Sequence, residues 1–239
     1  MAGLGTIINV AGIVAGGLLG LVFGRFINER MQDTLMKTMG FCTAILGLAG
    51  TMEKMLSIEN GVLKSGGSLL LILSLVLGAI VGELMDIEAK FTAFGEWLKQ
   101  KSGNSGDGRF TDAFVLASLT VAIGAMAVIG SIRDGLFGDY SILMLKALLD
   151  LVIIMIMTSF MGKGCIFAAI PVGVMEGGMT MLARVIAPVL SETALNGLAM
   201  VGSVLIMLIG VNLVWPKTIR TSNLLPAIPF SMILALFIK

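Results

Sequence analysis

Long apolar runs punctuated by isolated charges dominate the chain. Residues 2–24 carry no charged side chain and end at Arg25; further charge-free windows run 38–52, 65–82, 113–132, 193–216 and 221–238. A helix rises about 1.5 Å per residue, so about 20 apolar residues cross about 30 Å of hydrocarbon. Each window therefore predicts a span, the short 38–52 window relying on Lys37 reaching to the interface. Two more spans carry charge inside them: 142–161, with Lys146 and Asp150, and 165–189, with Glu176 and Arg184. The last window, 221–238, holds Pro226 and Pro229, which would kink it or turn it back. The predicted fold class is all-α: a polytopic transmembrane helix bundle of about eight spans, seven if 221–238 does not cross, in a single integral membrane domain over 1–239.

One stretch has a different period. Within 83–101, Leu84, Ile87, Phe91, Phe94 and Leu98 fall at helical three-and-four spacing with charges on the other faces. This predicts an amphipathic helix lying on the cytoplasmic membrane surface. The tract SGNSGDG follows, so 102–110 reads as a linker. It would divide residues 1–101, with three spans and the surface helix, from 111–239, with four or five spans and a broken helix near 165–189. A weak internal repeat accompanies this division: Leu19-Gly20 with Gly24 matches Leu77-Gly78 with Gly82, at an offset of 58. Gly12, Gly16, Gly20 and Gly24 form a flat helical groove that another backbone can approach closely. Packing within the chain is the simpler use of that groove, and a homodimer through it is the alternative.

Composition sets the solvent. The chain is 57% hydrophobic and 13% charged, with a mean hydropathy of +1.02. A water-soluble domain is about a quarter charged, so the partner expected here is the lipid bilayer. The 16 Lys and Arg against 15 Asp and Glu leave no basic face for nucleic acid. No histidine is present, which removes Ser–His and Cys–His nucleophile pairs and imidazole metal or haem ligands. Cys42 and Cys165 lack CxxC spacing and read as reduced apolar side chains. The 18 methionines are scattered, which favours deformable filling over Cu(I) binding. No cofactor and no enzymatic activity is expected. Residues 2–24 lack a basic start and read as a retained helix rather than a cleaved leader. With the N-terminus outside, Arg25, Arg30, Lys37, Lys90, Lys99, Lys101, Arg109, Lys163, Lys217 and Arg220 lie inside, against Lys54, Lys64, Arg133 and Lys239 outside. That bias predicts an N-out orientation.

Several segments resemble one family in order along the chain: GTIINVAGIVAGGLLGLVFG, LSLVLGAIVGELMDIEAKFTAFGEWLK, GAMAVIGSIRDGL and NLLPA. They are similar to the YdfK/YqgA-like bacterial inner-membrane proteins, a family of unassigned function that carries a transport label. The resemblance implies a multi-pass protein of the bacterial inner membrane and no catalytic residues. It also implies glutamine in relatives where this chain has Glu176, so a proton-carrying role there would belong to this chain rather than to the family.

Ionisable groups within spans are expensive, at least about 2.5–3.5 kcal/mol each on insertion scales, and so mark candidate sites. Lys146 and Asp150 lie four apart on one helix face, as a structural ion pair or a functional carboxylate with its neighbour. Gly130 and Gly135 bracket Arg133 and Asp134 where the helix is expected to break, as a solvated turn or a gate. Pro171, Gly173, Gly177 and Gly178 surround Glu176 in a span expected to be broken, a feature of transporter substrate sites. The simpler alternative is a kinked packing helix with Glu176 paired to Lys146 or Arg184. Asn9, Asn212 and Asn223 are supporting amides. Together these predict a transporter of a small solute or ion, with a non-transporting membrane scaffold or regulator as the alternative.

Overall fold

The computed structural model describes residues 2–122, 125–186 and 191–237. The all-α helix-bundle class holds. Helices α1 (Leu4–Gly24), α2 (Glu29–Met55), α3 (Ser68–Met85), α7 (Ser141–Met161) and α10 (Glu192–Val214) are each long and apolar enough to cross a bilayer, as is the continuous stretch Lys163–Met181. That stretch is a 3-10 turn, Lys163–Ala168, running into α8, Ala169–Met181, with the short α9, Ala183–Ile186, beyond it. The predicted surface helix is α4, Ile87–Lys101.

Two of the eight predicted spans take other forms. The 113–132 window is divided between α5 (Phe110–Ala122) and α6 (Ala125–Phe137), bent by 62°, with the break outside the described residues. The 221–238 window becomes a 3-10 turn, Thr221–Leu224, and an eight-residue helix α11, Ala227–Leu234. Together, Thr221–Leu234 form an apolar helical stretch shorter than the six long helices. Among the described residues, six helices are long and apolar enough to cross, or seven if the bent pair is one span, against the eight expected and the seven of the alternative. One element was not expected: strands β1 (Leu56–Glu59) and β2 (Val62–Ser65) form an antiparallel hairpin. Asn60 and Gly61 join them with φ of 53° and 76°, the left-handed pair that a tight hairpin turn requires.

The chain folds as two interleaved compact units, Met1–Thr38 with Lys90–Ala187, and Met39–Ala89 with Pro188–Lys239. The 102–110 tract is thus not a boundary, because α4 packs onto the helices that follow the tract. Leu98 is buried with Phe110 and Phe114, and Phe91 packs on the same cluster. The Thr111 hydroxyl also bonds the Glu96 carboxyl and holds it below the usual carboxylate range.

The first unit is organised by α1 against α7. A methyl group added at Gly12, Gly16, Gly20 or Gly24 would strike the backbone carbonyl of Ala147, Leu151, Met155 or Ser159, respectively. Two four-residue periods run in register, so the glycine groove is filled by α7 of the same chain. In the second unit, Gly78 and Gly82 of α3 meet the backbone of Ala227 and Asn223 in the same manner. The offset of 58 also aligns Ala169-Ile170-Pro171 with Ala227-Ile228-Pro229. Each triplet follows a 3-10 turn and starts a helix, although the glycines of α1 and α3 meet different partners.

Gly16→Ala is expected to destabilise the protein by about 1–3 kcal/mol, because the added methyl overpacks a backbone contact that cannot yield. Gly106→Ala, in open space, should leave the detergent melting temperature unchanged, and equal melting of both variants would contradict the packing account.

Candidate functional site

In the first unit, three helices bring four of the predicted site residues together. Asn9 comes from α1, Lys146 and Asp150 from α7, and Glu176 from α8; Asn9 and Glu176 are wholly buried and the other two nearly so. The glycine face of α1 positions Asn9, because Gly5 and Gly12 on either side of it touch Leu143 and Ala147, which flank Lys146 on α7. The Asn9 Nδ2 donates to Glu176 Oε1 at 2.8 Å. The Lys146 ammonium is paired with Asp150 Oδ2, stands 3.7 Å from Glu176 Oε1, and donates to the Val121 carbonyl at 2.7 Å. Val121 lies in the last turn of α5, where carbonyls have no partner within their own helix.

The cluster is out of balance. One ammonium faces two carboxylates, so the ionised group carries an excess negative charge. Glu176 Oε2 and Asn9 Oδ1 are buried and accept no hydrogen bond, as are the hydroxyls of Thr6 and Thr180. Thr6 lies three residues before Asn9 on α1, and Thr180 four residues after Glu176 on α8, so both share the helix face of the cluster. Sequence reasoning missed these two threonines and the Val121 carbonyl. The threonine spacing was visible in the sequence, whereas the carbonyl becomes available only because α5 ends there.

Most of the remaining predicted residues fall elsewhere, and two expectations need correction. The helix is not broken at Glu176: α8 is continuous through it, with the irregular backbone in the preceding 3-10 turn and at Leu182. Pro171 falls in the first turn of α8, just after the 3-10 turn, a position that tolerates proline. Gly177 and Gly178 follow Glu176 with room for a side chain, and nothing stands within 4 Å of a Cβ placed at Gly178. Nor does α6 break at Gly130 and Gly135, which instead allow close approach to Leu143 of α7 and to the Thr180 carbonyl of α8. Arg133 and Asp134 have separate partners. Arg133 is exposed and bonds Asp139 at 2.8 Å, while Asp134 is wholly buried. Asp134 Oδ2 accepts from the Gly3 and Gly5 N–H groups at 3.1 and 2.9 Å, capping the N-terminal end of α1.

The other amides serve the second unit. Asn212 bonds the Ile219 N–H and carbonyl at 3.0 and 2.6 Å and closes the chain after α10, so it is not part of the cluster. Asn223 Oδ1 accepts the Glu88 N–H at 2.7 Å and ties the start of α4 to the 3-10 turn, beside an Arg220–Glu83 pair at 3.1 Å. Arg184 is exposed on α9. Among the described residues no group of three or more His, Cys, Asp or Glu could hold a metal ion.

Residues 4–236 match the model of the family described as protein of unknown function DUF554, and the chain belongs to that family. It is 29% identical over 224 residues to the uncharacterized membrane protein YdfK of Bacillus subtilis (strain 168), covering 94% of this chain and 92% of that protein. It is 24% identical over 239 residues to the uncharacterized protein YqgA of Escherichia coli (strain K12), covering 96% and 94%. No solved structure matches the chain. The resemblance drawn from the motifs thus holds over nearly the whole length.

Lys146→Met is expected to destabilise the protein by about 3–5 kcal/mol, since it strands two buried carboxylates. Adding Asp150→Leu should recover much of that loss in a detergent thermal melt. Additive losses in the double variant would show that the Lys146–Asp150 pair is not energetically coupled.

Proposed function

We propose that this chain is a membrane transporter of a small solute or ion, with its site at the buried Asn9, Lys146, Asp150 and Glu176 cluster. The observation that carries the reading is the unbalanced charge: a wholly buried carboxylate keeps one oxygen unpartnered beside a single ammonium already paired with Asp150. Sealed in a purely structural core, such a group would cost more than it returns. A site that takes up and releases a cation or a proton needs that excess negative charge. Gly177 and Gly178 add support, because packing does not require them and glycine weakens a helix by about 1 kcal/mol per residue relative to alanine. The helix around Glu176 is therefore softer than its contacts demand.

A scaffold that docks a partner through α4 has less behind it. Phe91 and Leu98 of the apolar stripe pack on Phe110 and Phe114 of the same unit, leaving mainly Phe94 and Trp97, stacked on each other, at the surface. In this reading the protein sits in the bacterial inner membrane with its N-terminus outside, supported by the Lys and Arg distribution and by the membrane-protein name of the Bacillus relative.

The test is current from reconstituted membranes challenged in turn with H⁺, Na⁺, K⁺ and Cl⁻ gradients. We expect a current that is reduced at least tenfold, a barrier change of about 1.4 kcal/mol, in Glu176→Gln and Asp150→Asn. Wild-type current surviving unchanged in both variants would remove the cluster from the pathway.

A further inference from the structure

Beyond the four-residue cluster, the first unit holds a file of buried oxygen atoms along one side of α1. At its N-terminal end stands Asp134, wholly buried, with Oδ2 on the Gly3 and Gly5 N–H groups and Oδ1 accepting nothing. Next come Thr6 and Thr180, both more than nine-tenths buried, with unpartnered hydroxyls. Thr6 is held against α8: a Cβ at Gly177 would lie 3.9 Å from its Cγ2. Thr180 is backed on the other side by α6, where a Cβ at Gly135 would strike its carbonyl. Last come Asn9 and Glu176, with Asn9 Oδ1 and Glu176 Oε2 unpartnered. Gly3, Thr6 and Asn9 are spaced three residues apart, so successive levels lie about 4.5 Å apart along the helix axis. That is too far for a direct hydrogen bond and near the span bridged by one water molecule.

An unsatisfied buried oxygen is destabilising, and a run of them on one seam is not what a packing interface selects. We infer that the seam of α1, α6 and α8 is an entry path for hydrogen ions, running from Asp134 at the N-terminal end of α1 to Glu176. This rests on the reading of the cluster as a transport site and names the ion it exchanges. Gly3, which Asp134 caps, is only half-buried beside the exposed Ala2, and hydronium entering there gives a proton to Asp134; the proton passes along the threonine hydroxyls, and an O–H bond forms at Glu176. The carboxylate becomes a neutral acid, and the donor leaves as water. The charged groups facing Glu176 are Lys146 and Asp150 from α7; α1 contributes the Asn9 amide and no charge, and α6 contributes Asp134 further along the seam. Their balance selects the ion. The Lys146 ammonium stands 3.7 Å from the other oxygen of the same carboxylate, so a metal ion at Oε2 would face a fixed cation, whereas a proton cancels the charge without adding a cationic centre.

Infrared spectroscopy of the purified full-length protein tests this by following the protonated-carboxyl band while pH is stepped and while H₂O is exchanged for D₂O. The wild type should show a titrating, deuterium-sensitive band that is absent in Glu176→Gln. In Asp134→Asn, which keeps an oxygen for the Gly3 and Gly5 N–H groups, and in Thr180→Val, the band should persist but exchange several-fold more slowly. Each variant is accepted only if monodisperse and as helical as the wild type; should Thr180→Val fail, Thr6→Val replaces it. A band unaffected by Glu176→Gln, or exchange equally fast in Asp134→Asn and Thr180→Val, overturns the path. A Glu176-dependent Na⁺ or K⁺ current without any such band also overturns it while leaving the transport reading intact. A band behaving as described, with no current under any gradient, keeps the path and removes transport.

Discussion

The close approach of α1 to α7 is the constraint on which the first unit depends. Four glycines at four-residue intervals meet four carbonyls at the same interval, so two backbones touch with no side chains between them. In lipid there is little hydrophobic drive between helices, and association rests on van der Waals contact of this kind. The contact also fixes rotation. With Gly5 and Gly12 seated on α7, Asn9 between them can only point toward the turn of α7 that carries Lys146, and there it finds Glu176.

What that placement creates is an electrostatic problem rather than a solution. Lys146 is paired with Asp150 and donates to the Val121 carbonyl, which leaves Glu176 with a neutral amide and a more distant ammonium. A structure selected only for stability would remove the extra carboxylate or close its second oxygen with a donor. Neither occurs. The seam beyond Glu176 continues with hydroxyls and a further carboxylate, all buried, and Asp134 combines two roles by capping α1 with one oxygen while leaving the other unpartnered.

The sequence made the fold class plain because charges are so sparse that they mark helix ends. It also identified Asn9, Lys146, Asp150 and Glu176, since ionisable and amide groups within apolar runs are conspicuous. Other features depended on what the chain meets in three dimensions. Glycines next to charges at 130–135 suggested a broken helix, yet they mark close contact with α7 and α8. The glycines and proline around Glu176 suggested a break in the same way, but α8 runs through them because Pro171 falls in a first turn. The tract 102–110 looked like a boundary, and the aromatic contacts of Leu98 with Phe110 and Phe114 cross it. The Asn60-Gly61 hairpin was readable in principle and was masked by the strong helical pattern on both sides.

The central claim is that the Glu176 cluster is a working, exchangeable site and not a dry structural ion pair. A high-resolution structure of the protein in lipid nanodiscs addresses it directly. The account predicts ordered water density bridging Glu176 Oε2, Asn9 Oδ1 and the Thr6 and Thr180 hydroxyls. A dry seam, with both Glu176 oxygens closed on Lys146, would contradict it.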